Sequence, residues 1–352
     1  MAKTTRATKK EKDEILSEAL DLDTDGFGRS AASSEVVLDL KDLQTHFTTR
    51  WGTVKAVDGV SYNVKRGETL GVVGESGSGK SMTAWSILGL VPQPAGRIVG
   101  GKILFRGDDL LLKSSSEMRD IRGSEICMVM QDPLTSLNPV FTIGNQIFET
   151  IRMNIGQLRG NLRQKAIELL RQVNIPAPER RLASYPHQMS GGMRQRVVGA
   201  ISMSRSPSLL IADEPTTSLD ATIQLQYLKL LKDIQSETGA AIIFITHDFG
   251  IVARMCDRVA VMYAGKMVEQ APVMDLFDSP SHPYTEALLK SVPDLDLDVD
   301  LLPSIEGQPP SLDDLPEGCS FAPRCPYAFD KCVEEPPYSN VAENHTASCW
   351  RL

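Results

Sequence analysis

The densest chemical signal in the sequence is the run Gly74-Glu75-Ser76-Gly77-Ser78-Gly79-Lys80-Ser81. It satisfies the G-x-x-x-x-G-K-[ST] pattern of a phosphate-binding loop. Glycines at these positions let consecutive backbone N–H groups turn inward around phosphate oxygens, and the start of the next helix adds positive potential there. Lys80 stands where it can reach the terminal phosphates of a nucleotide, and the Ser81 hydroxyl where it can hold Mg²⁺. A bland glycine-rich turn could match the same pattern by chance. Here an apolar run (69–73) precedes it, and a helical pattern over 81–90 carrying Met82, Trp85, Ile87 and Leu88 follows, which is the context the chemistry requires.

A triphosphate with its metal needs a carboxylate nearby, and Leu209-Leu210-Ile211-Ala212-Asp213-Glu214 places two at the end of an apolar strand. Asp213 is the candidate metal ligand, directly or through water, and Glu214 the candidate general base for an attacking water. Met189-Ser190-Gly191-Gly192-Met193 opens a helix and offers a hydroxyl and several amides to an anion. Gln131 follows a strand, where its amide can reach both metal and nucleophilic water. His247, in Ile245-Thr246-His247-Asp248, also follows a strand and can donate to a γ-phosphate. Singly, a loop glutamine or a lone histidine is ordinarily a solvated or structural residue. Their order along the chain is what carries weight.

The elements that must position these groups read as an α/β fold. Strand-like alternation begins at residues 36–40 and returns at 56–64, and short apolar strands follow at 69–73, 126–130, 209–212, 241–245 and 259–263. Such continuous apolar runs suit strands buried between helix layers. Between 143 and 204 the periodicity turns helical, most clearly over 165–173 and 193–203, as an insert in the sheet domain. A short strand at 266–269 and proline-punctuated helices come next. Residues 1–34 lack apolar periodicity beyond a patch at 15–22 and are expected to form a disordered extension. An acidic, proline-rich stretch from Asp294 to Glu317 leads into the end of the chain.

Composition narrows the partners. The 352 residues are 41% hydrophobic and 23% charged, ordinary for a globular protein, with 37 basic against 45 acidic side chains, net −8. An acidic chain is a poor candidate for sequence-independent nucleic-acid binding, which rests on basic contacts to phosphate. No apolar run is long enough to span a bilayer, and the N-terminal basic residues (Lys3, Arg6, Lys9, Lys10, Lys12) precede no apolar stretch, which argues against a secretory signal. The expectation is a cytosolic protein whose membrane role, if any, comes through a partner.

Cys127 and Cys256 stand alone in apolar surroundings and read as buried small hydrophobes. Cys319, Cys325, Cys332 and Cys349 crowd the tail with spacing C-x5-C-x6-C-x16-C. Four thiolates suit tetrahedral zinc or a four-iron cluster, and the paired C-x2-4-C knuckles typical of structural zinc are missing, which tilts the reading toward iron–sulfur. His345 near Cys349 is either a substitute ligand or, the simpler reading, a solvated surface histidine.

Together and in this order, the segments resemble the ATP-binding-cassette (ABC) ATPases over residues 36–270: the phosphate loop, the glutamine loop at Gln131, the signature Ser190-Gly191-Gly192, Asp213-Glu214, the Ser218-Leu219-Asp220 loop and His247. Met189 and Met193 replace the first and fifth residues of the usual Leu-Ser-Gly-Gly-Gln signature. The resemblance implies a phosphate-loop, RecA-like cassette with an antiparallel β subdomain, a helical insert (about 133–205) and a cysteine-rich C-terminal extension. It divides the chain into 1–34, a cassette at 35–272 and an extension at 273–352. ATP is then held by residues 74–82, including Met82, with Phe47 as the adenine-stacking aromatic and Trp51 the runner-up; Ser81, Gln131 and Asp213 hold Mg²⁺. Two cassettes close head to tail in this family, so Ser190–Gly192 and Asp220 act on ATP bound to a second chain.

The tail sharpens the resemblance. His282-Pro283-Tyr284-Thr285-Glu286-Ala287-Leu288-Leu289, Ile305-Glu306-Gly307 and Cys325-Pro326-Tyr327-Ala328 are similar to the C-terminal region of dipeptide and oligopeptide importer ATPases, closest to the D-type subunit. So are residues 132–139 and Tyr185-Pro186-His187-Gln188. The resemblance implies an F-type ATPase as heterodimer partner, two membrane permeases, an extracytoplasmic peptide-binding protein and a place on the cytoplasmic face of the plasma (inner) membrane. It also implies a [4Fe–4S] cluster on the four tail cysteines, with Zn²⁺ as the alternative. The competing function, a cassette ATPase acting on nucleic acid or the ribosome, lacks support: there is no long coiled-coil insert, no second cassette and no basic balance.

Overall fold

A computed structural model describes residues 33–131, 136–152, 161–217, 219–292 and 304–352. Two sheets form its frame. The smaller has the order β2-β1-β4-β5 and consists of β1 (Val36–Thr49), β2 (Gly52–Lys65), β4 (Gly96–Phe105) and β5 (Asp108–Asp109). Its pairings are antiparallel. Strand β1 runs well beyond the 36–40 stretch that simple alternation suggests, because register shifts between Leu40 and Gln44 interrupt the period of two without ending the ladder. Strand β4 carries no clear strand pattern in the sequence: Gly96, Gly100 and Gly101 dilute its apolar residues, and its pairing with β1 makes it a strand.

The larger sheet has the order β11-β12-β10-β9-β3-β8-β7-β6. Its centre is parallel: β3 (Thr69–Val73) lies between β8 (Ala241–Ile245) and β9 (Arg258–Tyr263), and β7 (Leu209–Asp213) and β6 (Ile126–Val129) continue beyond β8. Every residue of β3, β7 and β8 is buried, which explains their unbroken apolar runs. Successive residues serve opposite faces. Leu70, Val72, Ile211, Ile243 and Ile245 pack toward the small sheet, with Ala84 and Ile87 of α1 (Lys80–Ile87). Val73, Leu210, Ala212, Ile242 and Phe244 pack toward the helices on the other side.

Helix α2 (Ser115–Ile121), before β6, packs on the small-sheet side through Met118. The helices on the other side are α3 (Ile143–Arg152), α4 (Leu162–Gln172), α5 (Pro178–Arg181) and α6 (Gly191–Met203) between β6 and β7, and α7 (Ala221–Thr238) after β7. Helix α3 buries Ile143, Ile147 and Ile151 at a four-residue spacing, a single stripe facing the core. Next come α8 (Phe249–Met255), α9 (Val273–Asp278) and α10 (Pro283–Lys290).

The tail adds to the sheet. Strand β10 (Lys266–Pro272) turns back from β9, and β12 (His345–Ser348) pairs antiparallel with it at Glu269↔Ala347 and Gln270↔Thr346. Strand β11 (Tyr338–Ala342) then completes a hairpin with β12. Nothing in the sequence pattern announced these two strands, which are short and mostly exposed on β11. His345 is neither solvated nor among the thiols: it is buried in β12, and its Nε2 lies 2.7 Å from the Oε1 of buried Glu269. The 1–34 extension falls almost wholly outside the described residues, as do 132–135 and Ser218.

Candidate active site

The sheet order brings the sequence motifs to one edge. The phosphate loop follows β3, Gln131 follows β6, Asp213 ends β7 with Glu214 next, and His247 follows β8. These are the carboxyl ends of four parallel strands, where open α/β sheets form their binding crevice.

Glycine is required in the loop itself. Gly74 and Gly79 have φ of 148° and 102°, and a Cβ on either would lie 2.2 Å from the Met262 carbonyl oxygen and 2.3 Å from that of Ala56, respectively. Lys80, 6% exposed, folds over the loop and donates to the carbonyls of Gly74 and Glu75 at 2.8 Å each and to Ser78 Oγ at 3.3 Å. Burial pushes its pKa down, while the charges of Glu214, Asp213 and Glu75 pull it back up. Its ammonium is held at the mouth of the loop by the two backbone carbonyls and the Ser78 hydroxyl. Ser76 and Gly77 are exposed at the crest, and Met82 is half-buried in the first turn of α1.

The metal-ligand candidates already converge. Ser81 Oγ donates to Asp213 Oδ1 at 3.0 Å. Burial, the largest cause, raises the Asp213 pKa, and a cation bound there would remove that penalty. Three groups meet the Glu214 carboxylate: Gln131 Nε2 donates to its Oε2 at 2.8 Å, Thr217 Oγ1 donates to the same oxygen at 3.2 Å, and His247 Nδ1 lies 3.3 Å from Oε1. Its backbone sits at φ 44°, a left-handed conformation costly for a residue with a Cβ. Three donors from three strand ends thus aim one carboxylate, and Thr217, three residues after Glu214, belongs to this group although it is part of no recognised motif.

Ser190, Gly191 and Gly192 are not brought to this cluster: among the described residues no hydrogen bond joins them to the phosphate loop. Ser190 Oγ instead caps α6 by accepting from Met193 N at 3.3 Å. Asp220 caps α7 through Ile223 N at 3.0 Å, and Ile223 packs against Gly192, so the signature and the Asp220 turn are neighbours. Phe47, half-buried near the end of β1, lies against Gly96 of β4, whereas Trp51 in the turn is 78% exposed with the Arg50 guanidinium 5.0 Å from its ring centre.

In the tail, Cys319, Cys325, Cys332 and Cys349 are free thiols that line one pocket with His282, Phe321 and Trp350. Burial raises the pKa of Cys319 and Cys325. Among the described residues no three His, Cys, Asp or Glu side chains are drawn close enough to hold a metal ion. Cys127 and Cys256 are buried as anticipated, with the Cys127 thiol pushed up to about 12. The tail also reaches the phosphate loop, through Arg324 and Tyr284, which no sequence motif indicated.

A phosphate loop, a strand-end carboxylate pair and a glutamine and histidine facing it define a nucleoside-triphosphatase site on a parallel sheet. Residues 57–217 match the ABC transporter family, and residues 268–332 match the oligopeptide/dipeptide transporter C-terminal region. A probable peptide ABC transporter ATP-binding protein of Sinorhizobium fredii is 51% identical over 325 residues, 92% of this chain and 97% of its own. A dipeptide transport ATP-binding protein of Bacillus subtilis is 49% identical over 90% of this chain and 95% of its own. Among solved structures, the dimeric bacterial ABC transporter cassette MJ0796 superposes with a TM-score of 0.60 at 26% identity, covering 67% of this chain and 98% of that one. The chain belongs to the ABC ATPases, in the branch formed by the ATP-binding proteins of peptide transporters.

Proposed function

We propose that this chain is the ATP-hydrolysing subunit of an importer for di- or oligopeptides, coupling ATP binding and hydrolysis at a cassette dimer interface to uptake through separate permeases. The observation that carries the catalytic part is the convergence of Gln131, Thr217 and His247 on the Glu214 carboxylate, beside Ser81 and Asp213. The peptide-specific part rests on the tail and on the relatives named above.

The residues divide the tasks of a hydrolysis among them. Loop amides and Lys80 bind the β- and γ-phosphates, the lysine exchanging its carbonyl acceptors for phosphate oxygens. Ser81, Asp213 and Gln131 fit a Mg²⁺ ion, being oxygen donors already within hydrogen-bonding reach of one another or of the adjacent Glu214. When bound, Mg²⁺ supplies charge neutralisation at the β and γ oxygens. Glu214 accepts a proton from the water that attacks the γ-phosphorus as the bond to the β–γ bridging oxygen breaks, leaving ADP and phosphate. His247 orients Glu214 and donates to the γ-phosphate, and Phe47 stacks on adenine. Ser190–Gly192 and Asp220, which do not reach their own chain's loop, serve the ATP of a second cassette.

That second cassette is taken to be an F-type ATPase, with two permeases and an extracytoplasmic binding protein completing the importer. Among the described residues no helix is long and apolar enough to cross a membrane, so attachment to the cytoplasmic face of the membrane runs through the permeases. The cassette corresponds to 35–272 and the extension to 273–352. Four thiols on one pocket are the right donor set for a [4Fe–4S] cluster or for Zn²⁺, and the pocket would have to close inward for them to ligate. Either group would pin the loop-rich tail.

The test is a mild-detergent pull-down of the tagged chain from its native membranes under anaerobic conditions. Two multi-span permeases and a second cassette protein among the recovered chains are expected. Recovery of soluble partners alone, repeated with ATP, would overturn the transport reading in favour of a soluble cassette ATPase.

A further inference from the structure

The tail's closest approach to the chemistry is an ion pair. Arg324, in the turn between Cys319 and Cys325, donates to both oxygens of Glu75 in the phosphate loop, Nη1 to Oε2 at 2.7 Å and Nη2 to Oε1 at 3.1 Å. The same guanidinium donates to Tyr263 Oη at 3.2 Å and to the carbonyls of Glu306 and Ile305 at 2.9 and 3.4 Å. Its side chain is 5% exposed. A second tie lies beside it: Glu75 N donates to Tyr284 Oη at 2.8 Å, and the Tyr284 ring packs on Tyr263 and Phe321 at 4.6 and 5.3 Å between centroids.

Glu75 is a peculiar residue to place in a loop that takes a polyanion. Its charge is felt at Lys80, whose ammonium also answers Asp213 and Glu214. An uncompensated carboxylate there would repel triphosphate and compete for the lysine. Arg324 cancels that charge with a bidentate fork, a strong geometry for such a pair, and ties the Glu75 side chain to the tail.

We infer that Arg324 is a positioning residue of the phosphate loop, through which the docked C-terminal tail neutralises Glu75 and holds the loop in the shape that accepts ATP. The inference rests on the ATPase reading of the site and extends it to a segment outside the cassette. Arg324 does not touch the nucleotide; it acts through Glu75. Loss of the guanidinium leaves a half-buried carboxylate unpaired beside the phosphates, so the cost appears in ATP affinity rather than in the chemical step.

The experiment measures KM for ATP and kcat on the full-length chain for wild type, Arg324→Ala, Arg324→Lys and the double variant Arg324→Ala with Glu75→Gln. Arg324→Ala is expected to raise KM at least tenfold with kcat changed less than about threefold. Arg324→Lys, keeping charge without the fork, falls between. The double variant, which removes the unpaired carboxylate together with the guanidinium, brings KM at least threefold below that of Arg324→Ala alone. A KM for Arg324→Ala within twofold of wild type, or a double variant no better than Arg324→Ala alone, overturns the inference. Should Arg324→Ala fail to fold, the Arg324→Lys and double-variant comparison decides it. A wild-type chain that does not turn over ATP would instead refute the ATPase reading.

Discussion

Replacing Glu214 by Gln tests the site at the atom where the geometry is most specific. Glutamine has nearly the same shape, so the left-handed backbone at φ 44° is unaffected by the change. Gln131 Nε2 and Thr217 Oγ1 both donate to Oε2, and an amide oxygen in that place accepts both. The amide NH₂ then takes the place of Oε1 opposite His247 Nδ1, 3.3 Å away, which accepts when that nitrogen is unprotonated. The constellation survives and only the basicity is lost. General-base catalysis contributes roughly 10²- to 10⁴-fold, or about 3–5 kcal/mol of barrier. Single-turnover phosphate release should slow by that factor while ATP affinity holds. Gel filtration with ATP and the second cassette should show an accumulated cassette dimer, as binding without hydrolysis would trap the closed state. A kcat within threefold of wild type would refute the assignment of Glu214, and with it the idea that its three donors exist to aim a base.

Lys80→Ala removes a charge-assisted contact to phosphate worth about 1.5–3 kcal/mol, so ATP affinity measured by fluorescent-nucleotide titration should weaken roughly 10- to 100-fold; unchanged affinity would count against the loop. His282 caps α10 by accepting from Tyr284 N at 3.0 Å, and burial lowers its pKa to about 4. Its native pKa lies below the unfolded value near 6.5, so the unfolded chain binds the extra proton between these pH values and stability falls as pH drops through that window. Between pH 7 and 5 this amounts to about 2 kcal/mol, and His282→Asn, which can still cap, should flatten that part of the urea-unfolding profile; an unchanged slope refutes it. Cys325→Ser should lower the iron or zinc bound to anaerobically purified protein. Four irons with acid-labile sulfide or one zinc in the wild type separates the two chemistries, and metal content unchanged by the substitution would remove Cys325 as a ligand.

Much of this protein is legible in its sequence alone. The phosphate loop could be read because its function is a property of eight adjacent residues: glycines forced by backbone clashes at Gly74 and Gly79, and a lysine and serine delivered by the helix that must follow. The central strands could be read because burial on both faces writes an unbroken apolar run into the sequence. Asp213-Glu214, Gln131 and His247 each end or follow such a strand, so placing the strands also placed the chemistry on the same edge. Strands whose identity depends on a partner were invisible: β4 is diluted by glycine, and β11 and β12 become strands only by pairing beside β10.

The tertiary structure alone decided the contacts that join distant segments. Arg324 and Glu75 are 249 residues apart, His345 finds Glu269 only because β12 lies beside β10, and Gly192 meets Ile223 across two helices. Local motifs are encoded by sterics and periodicity within a few residues, so the sequence carries them by itself. A salt bridge between a tail turn and a phosphate loop leaves no such mark, because neither residue type nor neighbouring spacing constrains a partner that folding alone brings within reach.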